Sequence, residues 1–386
     1  MATVLILGGG FGGAVAATRL KERLGDQVHI TLIDKEPSYH ICATNPWVMI
    51  GHAKPKDVTV WREGLAKHTV LVQAEVTAID PRQRKVTTSR GEFQADYLIV
   101  ALGADLNMSA VPGLAEHAES FFTTKDAEKL HKRLQEFQKG NIVVLVPRSP
   151  FKCPPSPYEA AMLLDDFFAQ KGIHEGVRVS VWSLEGAPMA TAGPEIGATV
   201  VGLLKDRGIE FHPRKRTVSV EAGKVNFEDG SSTAFELLIA VPPHEPPGCI
   251  KDSGLTGPSG WIHADPKTLK VAGFERVFAV GDVTTVPLPG RFAPDAPLVM
   301  PKAGVMAETE AIVVADNIAD EVQGVAPSAV FDGAGYCYIE TGGGEAMRGN
   351  GQFFASPNPT MTSRAPDREQ AEEKKRWVKD WLAKYM

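Results

Sequence analysis

The stretch 4–13, VLILGGGFGG, decides the fold of this chain. Its first four residues are apolar and predict a buried parallel strand, and the glycines Gly8, Gly10 and Gly13 follow with the spacing Gly-x-Gly-x-x-Gly. Such a turn lets the backbone approach a pyrophosphate, which is then bound by the free N–H groups at the start of the next helix. The pattern therefore predicts a dinucleotide-binding turn, and Phe11 lies within it.

Two further segments complete this unit. Residues 14–24 have the pattern of a helix, and 29–33 have that of a second buried strand, which ends at Asp34. A carboxylate at the end of that strand is placed to accept hydrogen bonds from a ribose. Strand, glycine turn, helix and acid together predict a βαβ unit that binds the adenosine half of a dinucleotide.

Composition narrows the class of protein. The chain has 386 residues, 43% of them hydrophobic and 23% charged, which is typical of a globular protein with two or three domains. The net charge of −6 argues against nucleic acid as a partner. No apolar run is long enough to span a bilayer, and the first residues lead directly into a strand pattern, so no signal peptide is predicted. No metal site is predicted either.

A second βαβ unit is predicted in the middle of the chain. Its strands are 141–146 and 178–184, and its helix is 156–170. A buried strand at 276–280 and a helix at 304–319 follow. We therefore predict an α/β fold with two Rossmann-like dinucleotide-binding domains.

The order of these units predicts that the second domain is inserted in the first. The first domain would comprise 1–105 and 255–325 and would bind the cofactor. The second would comprise 106–254, and a C-terminal segment, 326–386, would close the structure.

The turn of the second unit, PRSPFKCPPSPYE at 147–159, contains no glycine. Its prolines fix the backbone and fill the space that a pyrophosphate would need, so we predict that the nicotinamide site is lost. Glu185, which ends the following strand, is then interpreted as a solvated acid. The same turn presents Cys153 beside Lys152 and near a helix start, and both features favour a thiolate.

Several motifs make the prediction more specific. KCPPSPYE at 152–159 and MPKAG at 300–304 resemble the active-site segments of the sulfide:quinone oxidoreductase and flavocytochrome c sulfide dehydrogenase family. VALGA at 100–104 and FAVGD at 278–282 resemble the later flavin-contacting segments of the FAD-dependent pyridine nucleotide-disulfide oxidoreductase superfamily. NPW at 45–47 resembles the quinone-reductase branch, and the resemblance extends over nearly the whole chain.

The resemblance implies FAD as the cofactor. Ala101 and Gly103 would lie under the flavin, and Asp282, after Gly281, would hydrogen-bond the ribitol. Lys302, at the start of a helix, would stabilise negative charge on the reduced flavin.

The resemblance also implies a redox pair of cysteines, Cys153 and Cys337, which would meet over the flavin and oxidise sulfide through a persulfide. Glu159 would either shuttle protons or be an ordinary acid of the first helical turn. Cys249 matches no motif and is interpreted as structural. Cys42 leaves two alternatives open, because a cysteine in this region is bonded to the flavin in the flavocytochrome branch, whereas a small apolar residue near the flavin is the simpler interpretation.

The electron acceptor is predicted to be a membrane quinone. A leader and a CxxCH haem site are missing from the pattern, which argues against a cytochrome c subunit, the alternative acceptor. The tail carries Trp377, Trp381 and Tyr385 at i, i+4 and i+8 among lysines, a pattern typical of a helix that lies on a membrane surface, although a packed terminal helix is the alternative. We therefore expect a peripheral homo-oligomer on the cytoplasmic side of the membrane. A soluble flavoprotein that handles persulfide and a flavin-bound sensor stay open as alternatives. An NADH:quinone dehydrogenase shares the fold, but the missing second glycine turn argues against it.

Overall fold

The computed structural model describes residues 1–292 and 297–386. The helices and strands of these residues are numbered in chain order. The helices α1 to α11 are Phe11–Leu24, Asn45–Met49, Pro55–Val58, Glu63–Ala66, Leu114–His117, Thr124–Glu136, Ser156–Gln170, Pro194–Asp206, Gly248–Lys251, Gly304–Val322 and Arg368–Tyr385. The strands β1 to β24 are Ala2–Leu7, Val28–Asp34, Ser38–His40, Thr59–Trp61, Val70–Gln73, Val76–Asp80, Lys85–Thr88, Gly91–Gln94, Tyr97–Val100, Asp105–Leu106, Gly140–Val146, Val177–Ser183, Glu210–His212, Thr217–Glu221, Lys224–Phe227, Ser232–Ala234, Leu237–Ala240, His244–Glu245, Ile262–His263, Val277–Ala279, Thr284–Thr285, Ala334–Gly342, Glu345–Gln352 and Thr360–Ser363.

Two parallel sheets form the centre of the molecule. The first has the strand order β20-β9-β1-β2-β5 and the second the order β13-β12-β11-β17, and all their pairings are parallel. Helix α7 connects β11 to β12, and α1 packs against α10 beside the first sheet. The predicted α/β class with parallel sheets is therefore confirmed, while the domain boundaries stay a prediction.

The carboxyl ends of the first sheet's strands meet at one edge. Leu7 pairs with both Ile33 and Val100, and Val100 pairs with Ala279, so four strands end side by side. The strands β1, β9 and β20 are buried along nearly their whole length, as expected for a sheet covered on both faces. The register places the segments that follow these strands along one edge of the sheet. Those segments carry most of the predicted cofactor residues.

The glycine turn between β1 and α1 is required by close backbone approach. A Cβ on Gly13 would lie 1.8 Å from the carbonyl oxygen of Gly8. A Cβ on Gly8, whose φ is +94°, would lie 2.3 Å from the carbonyl oxygen of Ala101. Helix α1 begins at Phe11, three residues before the predicted start, so the turn and the first helical N–H groups are adjacent.

Replacing Gly13 with alanine is expected to lower stability and flavin content together. The added methyl group cannot fit without moving the backbone of the turn, at a cost of about 1–3 kcal/mol. The flavin-to-protein absorbance ratio and the unfolding midpoint measure the effect. Gly202→Ala, in α8 with no atom within 4 Å of the added Cβ, is the matched control and should leave both quantities unchanged or slightly raised. Equal effects of the two changes would contradict the role given to the turn.

The C-terminal helix α11 packs inward. Trp381 and Tyr385 are 4% and 5% exposed, and the ring centroid of Trp381 lies 4.3 Å from that of Phe11. Trp377 stacks on Phe11 as well. The expectation that this aromatic face lies on a membrane surface is therefore wrong, because the face that looked interfacial covers the start of α1. Among the helices of the described residues, none is long and apolar enough to span a membrane.

Candidate active site

A cavity of about 480 Å³ lies where the two sheets and the C-terminal segment meet. Its walls come from the turn around Cys42, the loop 149–155, the loop 184–192, the segment 297–306, and the elements β22 and α11. Seven of the predicted site residues line it: Phe11, Cys42, Cys153, Glu159, Asp282, Lys302 and Cys337.

The other predicted cofactor residues are not among the described residues that line the cavity. They lie near the ends of the strands of the first sheet. Gly8 and Gly10 lie in the turn after β1, Gly13 lies in the first turn of α1, and Asp34 ends β2. Ala101 and Gly103 follow β9, and Gly281 follows β20. Because these strands end side by side, this group forms one continuous edge next to the cavity.

Asp34 holds the glycine turn in place. Its carboxylate accepts hydrogen bonds from the N–H of Gly9 at 2.6 Å and from the N–H of Glu36 at 2.8 Å. Arg62, which is 7% exposed, forms an ion pair with Asp34 at 3.2 Å and donates to the carbonyl of Gly9 at 3.3 Å. The sequence analysis missed Arg62, because an isolated arginine in the segment VWREG carries no motif.

Lys302 and Asp282 form the floor of the cavity next to the first sheet. The ammonium group of Lys302 donates to the backbone carbonyls of Asp282 at 2.6 Å and Thr284 at 2.9 Å, and it lies 3.5 Å from the ring centroid of Trp261. Burial lowers the pKa of Lys302 to about 8, while the neighbouring Asp282 opposes this shift. Burial raises the pKa of Asp282, and Lys302 opposes that shift. The cavity therefore contains one ammonium group and one carboxyl group, and each of them shifts the pKa of the other.

The loop 147–155 positions Cys153. Its N–H donates to the carbonyl of Lys302 at 2.8 Å, and its carbonyl accepts from the N–H of Ser156 at the start of α7. Cys153 has a φ of +57°, a left-handed conformation that side chains other than glycine rarely adopt. These two hydrogen bonds hold the strained residue against the segment that carries Lys302.

Three thiols line the same cavity. Cys153 lies on the loop 147–155, and Cys42 lies in a short helical turn before α2. Cys337 lies on β22, which forms another wall of the cavity. All four cysteines of the chain are free thiols, and Cys249 packs instead beside a hydrophobic cluster of the first sheet. The fold therefore brings Cys153 and Cys337 to one space, although they are far apart in sequence.

Burial dominates the acidity of these thiols. It raises the pKa of Cys153 well above its usual value, with the charges of Cys42 and Glu159 acting in the same direction. It raises the pKa of Cys337 to about 12. The expectation that Lys152 and the helix start make Cys153 a thiolate is therefore wrong for the chain alone, because desolvation outweighs both.

Glu159 belongs to a buried charge network. Its carboxylate accepts from the ammonium group of Lys374 at 2.8 Å and from the N–H of Glu340 at 3.0 Å. Lys374 also donates to Glu340 at 2.8 Å, and the indole N–H of Trp47 donates to the same carboxylate. Burial raises the pKa of Glu159, whereas Lys374 lowers it. The two carboxylates raise the pKa of Lys374 against the effect of burial.

Lys374 was missed as a site residue because it was counted with the charged residues of the tail. Its side chain is 2% exposed and it lines the cavity, while its sequence neighbour Lys375 is exposed. The helical position of Lys374 on the inward face of α11 could have marked it, since an inward lysine needs a buried partner.

Glu185 is also not the solvated acid that we expected. It lines the cavity and accepts a hydrogen bond from the hydroxyl of Tyr158 at 2.6 Å. Burial raises the pKa of Glu185 to about 7. The cavity thus extends from the first sheet to the end of β12.

The edge and the cavity fit a flavin dinucleotide. A Cβ on Gly10 would meet no atom closer than 3.9 Å, so the turn is open at that residue, and the start of α1 beside it supplies N–H groups that have no helical partner. Asp282 offers a carboxyl group at the cavity wall, and the rest of the lining is mostly apolar. In the described parts of the chain, no cluster of three or more His, Cys, Asp or Glu could hold a metal ion.

Comparisons with known proteins find similar flavoprotein oxidoreductases. The model of pyridine nucleotide-disulphide oxidoreductases matches residues 2–146, and that of the central part of the flavocytochrome c sulfide dehydrogenase flavoprotein chain matches residues 127–180. The chain is 25% identical to the mitochondrial sulfide:quinone oxidoreductase of Mus musculus over 376 residues, which is 93% of this chain and 80% of the relative. It is 27% identical to the sulfide-quinone reductase of Aquifex aeolicus over 83% of this chain and 76% of the relative.

A further relative and a solved structure also resemble the chain. A type II NADH:quinone oxidoreductase of Staphylococcus aureus is 26% identical over 82% of this chain and 81% of the relative. The crystal structure of the sulfide:quinone oxidoreductase from Aquifex aeolicus matches with a TM-score of 0.88 and 22% identity, over 100% of this chain and 91% of that chain. With the glycine turn and the cysteines that line one cavity, these matches show that the chain is a flavoprotein oxidoreductase similar to sulfide:quinone oxidoreductases and to the flavocytochrome c sulfide dehydrogenase flavoprotein chain, with the fold of the pyridine nucleotide-disulphide oxidoreductases.

Proposed function

We propose that this protein oxidises sulfide with FAD and passes the electrons to a membrane quinone. The single observation that carries the proposal is that Cys153 and Cys337, from distant segments, line one cavity with Asp282 and Lys302. Relatives named sulfide:quinone oxidoreductase over most of the chain support the same activity.

The flavin, when bound, supplies a two-electron acceptor. The glycine turn and the start of α1 would hold its pyrophosphate, Asp34 a ribose, and Asp282 the ribitol. Ala101 and Gly103 would border the ring, and Lys302 would place positive charge near its edge. Most of the other walls are apolar and would exclude water from it.

The sulfur chemistry is assigned to the cysteine pair in its oxidised form. Hydrosulfide gives its electron pair to Sγ of Cys153, and a new S–S bond forms there. The bond between Cys153 and Cys337 breaks, so Cys337 leaves as a thiolate and Cys153 carries a persulfide. Glu159, whose pKa burial raises, lines the same cavity and would take the proton of the attacking species.

Sulfide and NADH distinguish this proposal from the main alternative. The relatives include NADH:quinone oxidoreductases, but the loop 147–155 has no glycine where a second pyrophosphate would bind. Anaerobic titration of the purified protein should bleach the flavin band near ~450 nm with sulfide and leave it unchanged with NADH. Bleaching by NADH alone would overturn the proposal, and bleaching by neither would favour a sensor.

The identity of the electron acceptor is tested by measuring how fast different acceptors reoxidise the flavin after sulfide has reduced it. A water-soluble quinone should reoxidise the flavin much faster than cytochrome c does. The reverse order would assign the chain to a flavocytochrome-like dehydrogenase. Contact with the cytoplasmic surface of a membrane and homo-oligomerisation stay predictions.

Cys42 is the residue through which the flavin would be attached if it were bound covalently. It lines the cavity, and burial raises the pKa of its thiol. We propose a non-covalent flavin, because a protonated thiol is a poor nucleophile. The mass of the denatured protein should then equal that of the bare chain. A mass increased by one flavin that is lost in Cys42→Ser would establish the covalent alternative.

A further inference from the structure

A second, much smaller cavity adjoins Cys153. It measures about 10 Å³, which is the space of roughly one water-sized sphere. It shares Cys42, Ala43, Lys152, Cys153 and Glu159 with the large cavity. Its other walls are Asn45, Pro46, Phe121, Phe122 and Ser156. We call this space the small pocket.

Two buried donors in the small pocket have no partner in the described parts of the chain. They are Nδ2 of Asn45 and Oγ of Ser156, on residues that are 1% and 3% exposed. The hydroxyl of Thr124 donates to Oδ1 of Asn45 at 3.3 Å, which fixes the amide with its N–H₂ group on the other side. Buried polar groups are nearly always hydrogen-bonded, so these two donors require an acceptor in the small pocket that the described chain does not supply.

The fold fixes both donors relative to Cys153. Ser156 begins α7, and its N–H donates to the carbonyl of Cys153 at 2.8 Å, which closes the turn between them. Asn45 begins α2, directly after the turn that carries Cys42. The thiols and the donors therefore face one another across the small pocket on rigid segments.

The chemistry of the walls selects the ligand. Two donors and the nearby ammonium group of Lys152 favour a small anion, and the carboxylate of Glu159 in the same wall is paired with Lys374 at 2.8 Å. Phe121, Phe122 and Pro46 disfavour a larger polar molecule. Organic thiols are too large for this space, and hydrosulfide, which is larger than water, would occupy it together with the adjoining edge of the large cavity. We propose that Asn45 and Ser156 bind hydrosulfide in the small pocket, next to Sγ of Cys153, and so distinguish it from larger thiols. This inference rests on the proposed function, because it names the place where the substrate of that reaction waits.

Kinetics of two variants test the binding role. Ser156→Ala should raise the KM for sulfide about tenfold, since it removes one hydrogen bond to an anion, while kcat at saturating sulfide and the KM for quinone change by less than about twofold. Asn45→Asp keeps the acceptor for Thr124 but places a carboxylate opposite the anion, so its KM should rise further. Ser253→Ala, which removes another buried serine hydroxyl outside both cavities, is the control. An unchanged KM in Ser156→Ala would overturn the inference.

Crystals of the flavin-loaded protein soaked in bromide give a test that needs no turnover. Bromide is a small anion that scatters anomalously, and we expect its peak between Nδ2 of Asn45 and Oγ of Ser156. The peak should vanish in Asn45→Asp. Density for water alone in the small pocket would overturn the inference. If sulfide fails to bleach the wild-type flavin while bromide still binds there, the proposed function fails and the anion site remains. If sulfide bleaches the flavin but Ser156→Ala keeps its KM, the function stands and the small pocket does not bind the substrate.

Discussion

Replacement of Cys153 by serine is expected to slow the reduction of the flavin by sulfide about a thousandfold or more, with the flavin content unchanged. The hydroxyl of serine cannot form the disulfide with Cys337 or carry the persulfide. It has nearly the same size as the thiol, so the turn held by Lys302 and Ser156 should persist. Stopped-flow absorbance under anaerobic conditions measures the rate.

Cys249→Ser is the matched control for this change. Cys249 lies outside the described lining of both cavities, and burial raises the pKa of its thiol to about 11. In this variant, sulfide should reduce the flavin at the wild-type rate. If Cys153→Ser kept that rate as well, the role given to Cys153 would be refuted, and the sulfur chemistry would have to move to Cys42 or Cys337.

Lys374→Met is expected to destabilise the protein by about 3–5 kcal/mol, because it leaves the carboxylates of Glu159 and Glu340 buried without a cation. Denaturant unfolding followed by circular dichroism measures the loss. Lys375→Met is the control, since the exposed pair of Lys375 with Glu372 contributes little, and its effect should stay within about 0.5 kcal/mol. Similar losses in the two variants would show that the buried network contributes nothing.

The deficit of Lys374→Met should depend on pH with a definite sign. Without the lysine, burial raises the pKa of Glu159 in the folded state above its unfolded value, and the hydrogen bond from the N–H of Glu340 opposes that rise only in part. A raised folded pKa favours folding at low pH, and that contribution is lost as the pH rises through the folded pKa. The variant should therefore lie closer to the wild type near pH 4 than near pH 7. A deficit that is constant across this range would mean that packing, rather than charge, is responsible.

The sequence was sufficient to predict the structure of segments in which a local pattern of residues controls the backbone conformation. The glycine turn, the strand before it and the helix α7, which spans the predicted residues 156–170, follow from apolar periodicity and from the steric demands of a tight turn. Resemblance, rather than periodicity, brought Cys337 into the predicted site, because no local pattern relates it to Cys153. The structure then places both at one cavity.

The sequence was insufficient where tertiary burial decides the state of a side chain. The tail helix looked interfacial because aromatic residues and lysines alternate along it, yet Trp381 packs on Phe11 and Lys374 points to Glu159. Lys152 next to Cys153 suggested a thiolate, but the cost of desolvating the thiol depends on walls from five distant segments. Arg62 and Glu185 were overlooked or misjudged for the same reason, since their partners are set by the fold.

The strand β20 has a consequence for synthesis of the protein. It pairs with β9 through Val277 and Leu98, so the first sheet gains its edge strand only after the whole second sheet, whose last strand ends at Ala240, has been translated. A nascent chain can complete the second sheet while the first still lacks an edge. Tight capture of the cofactor should therefore come late on the ribosome, and a fragment that stops before residue 277 should emerge without it.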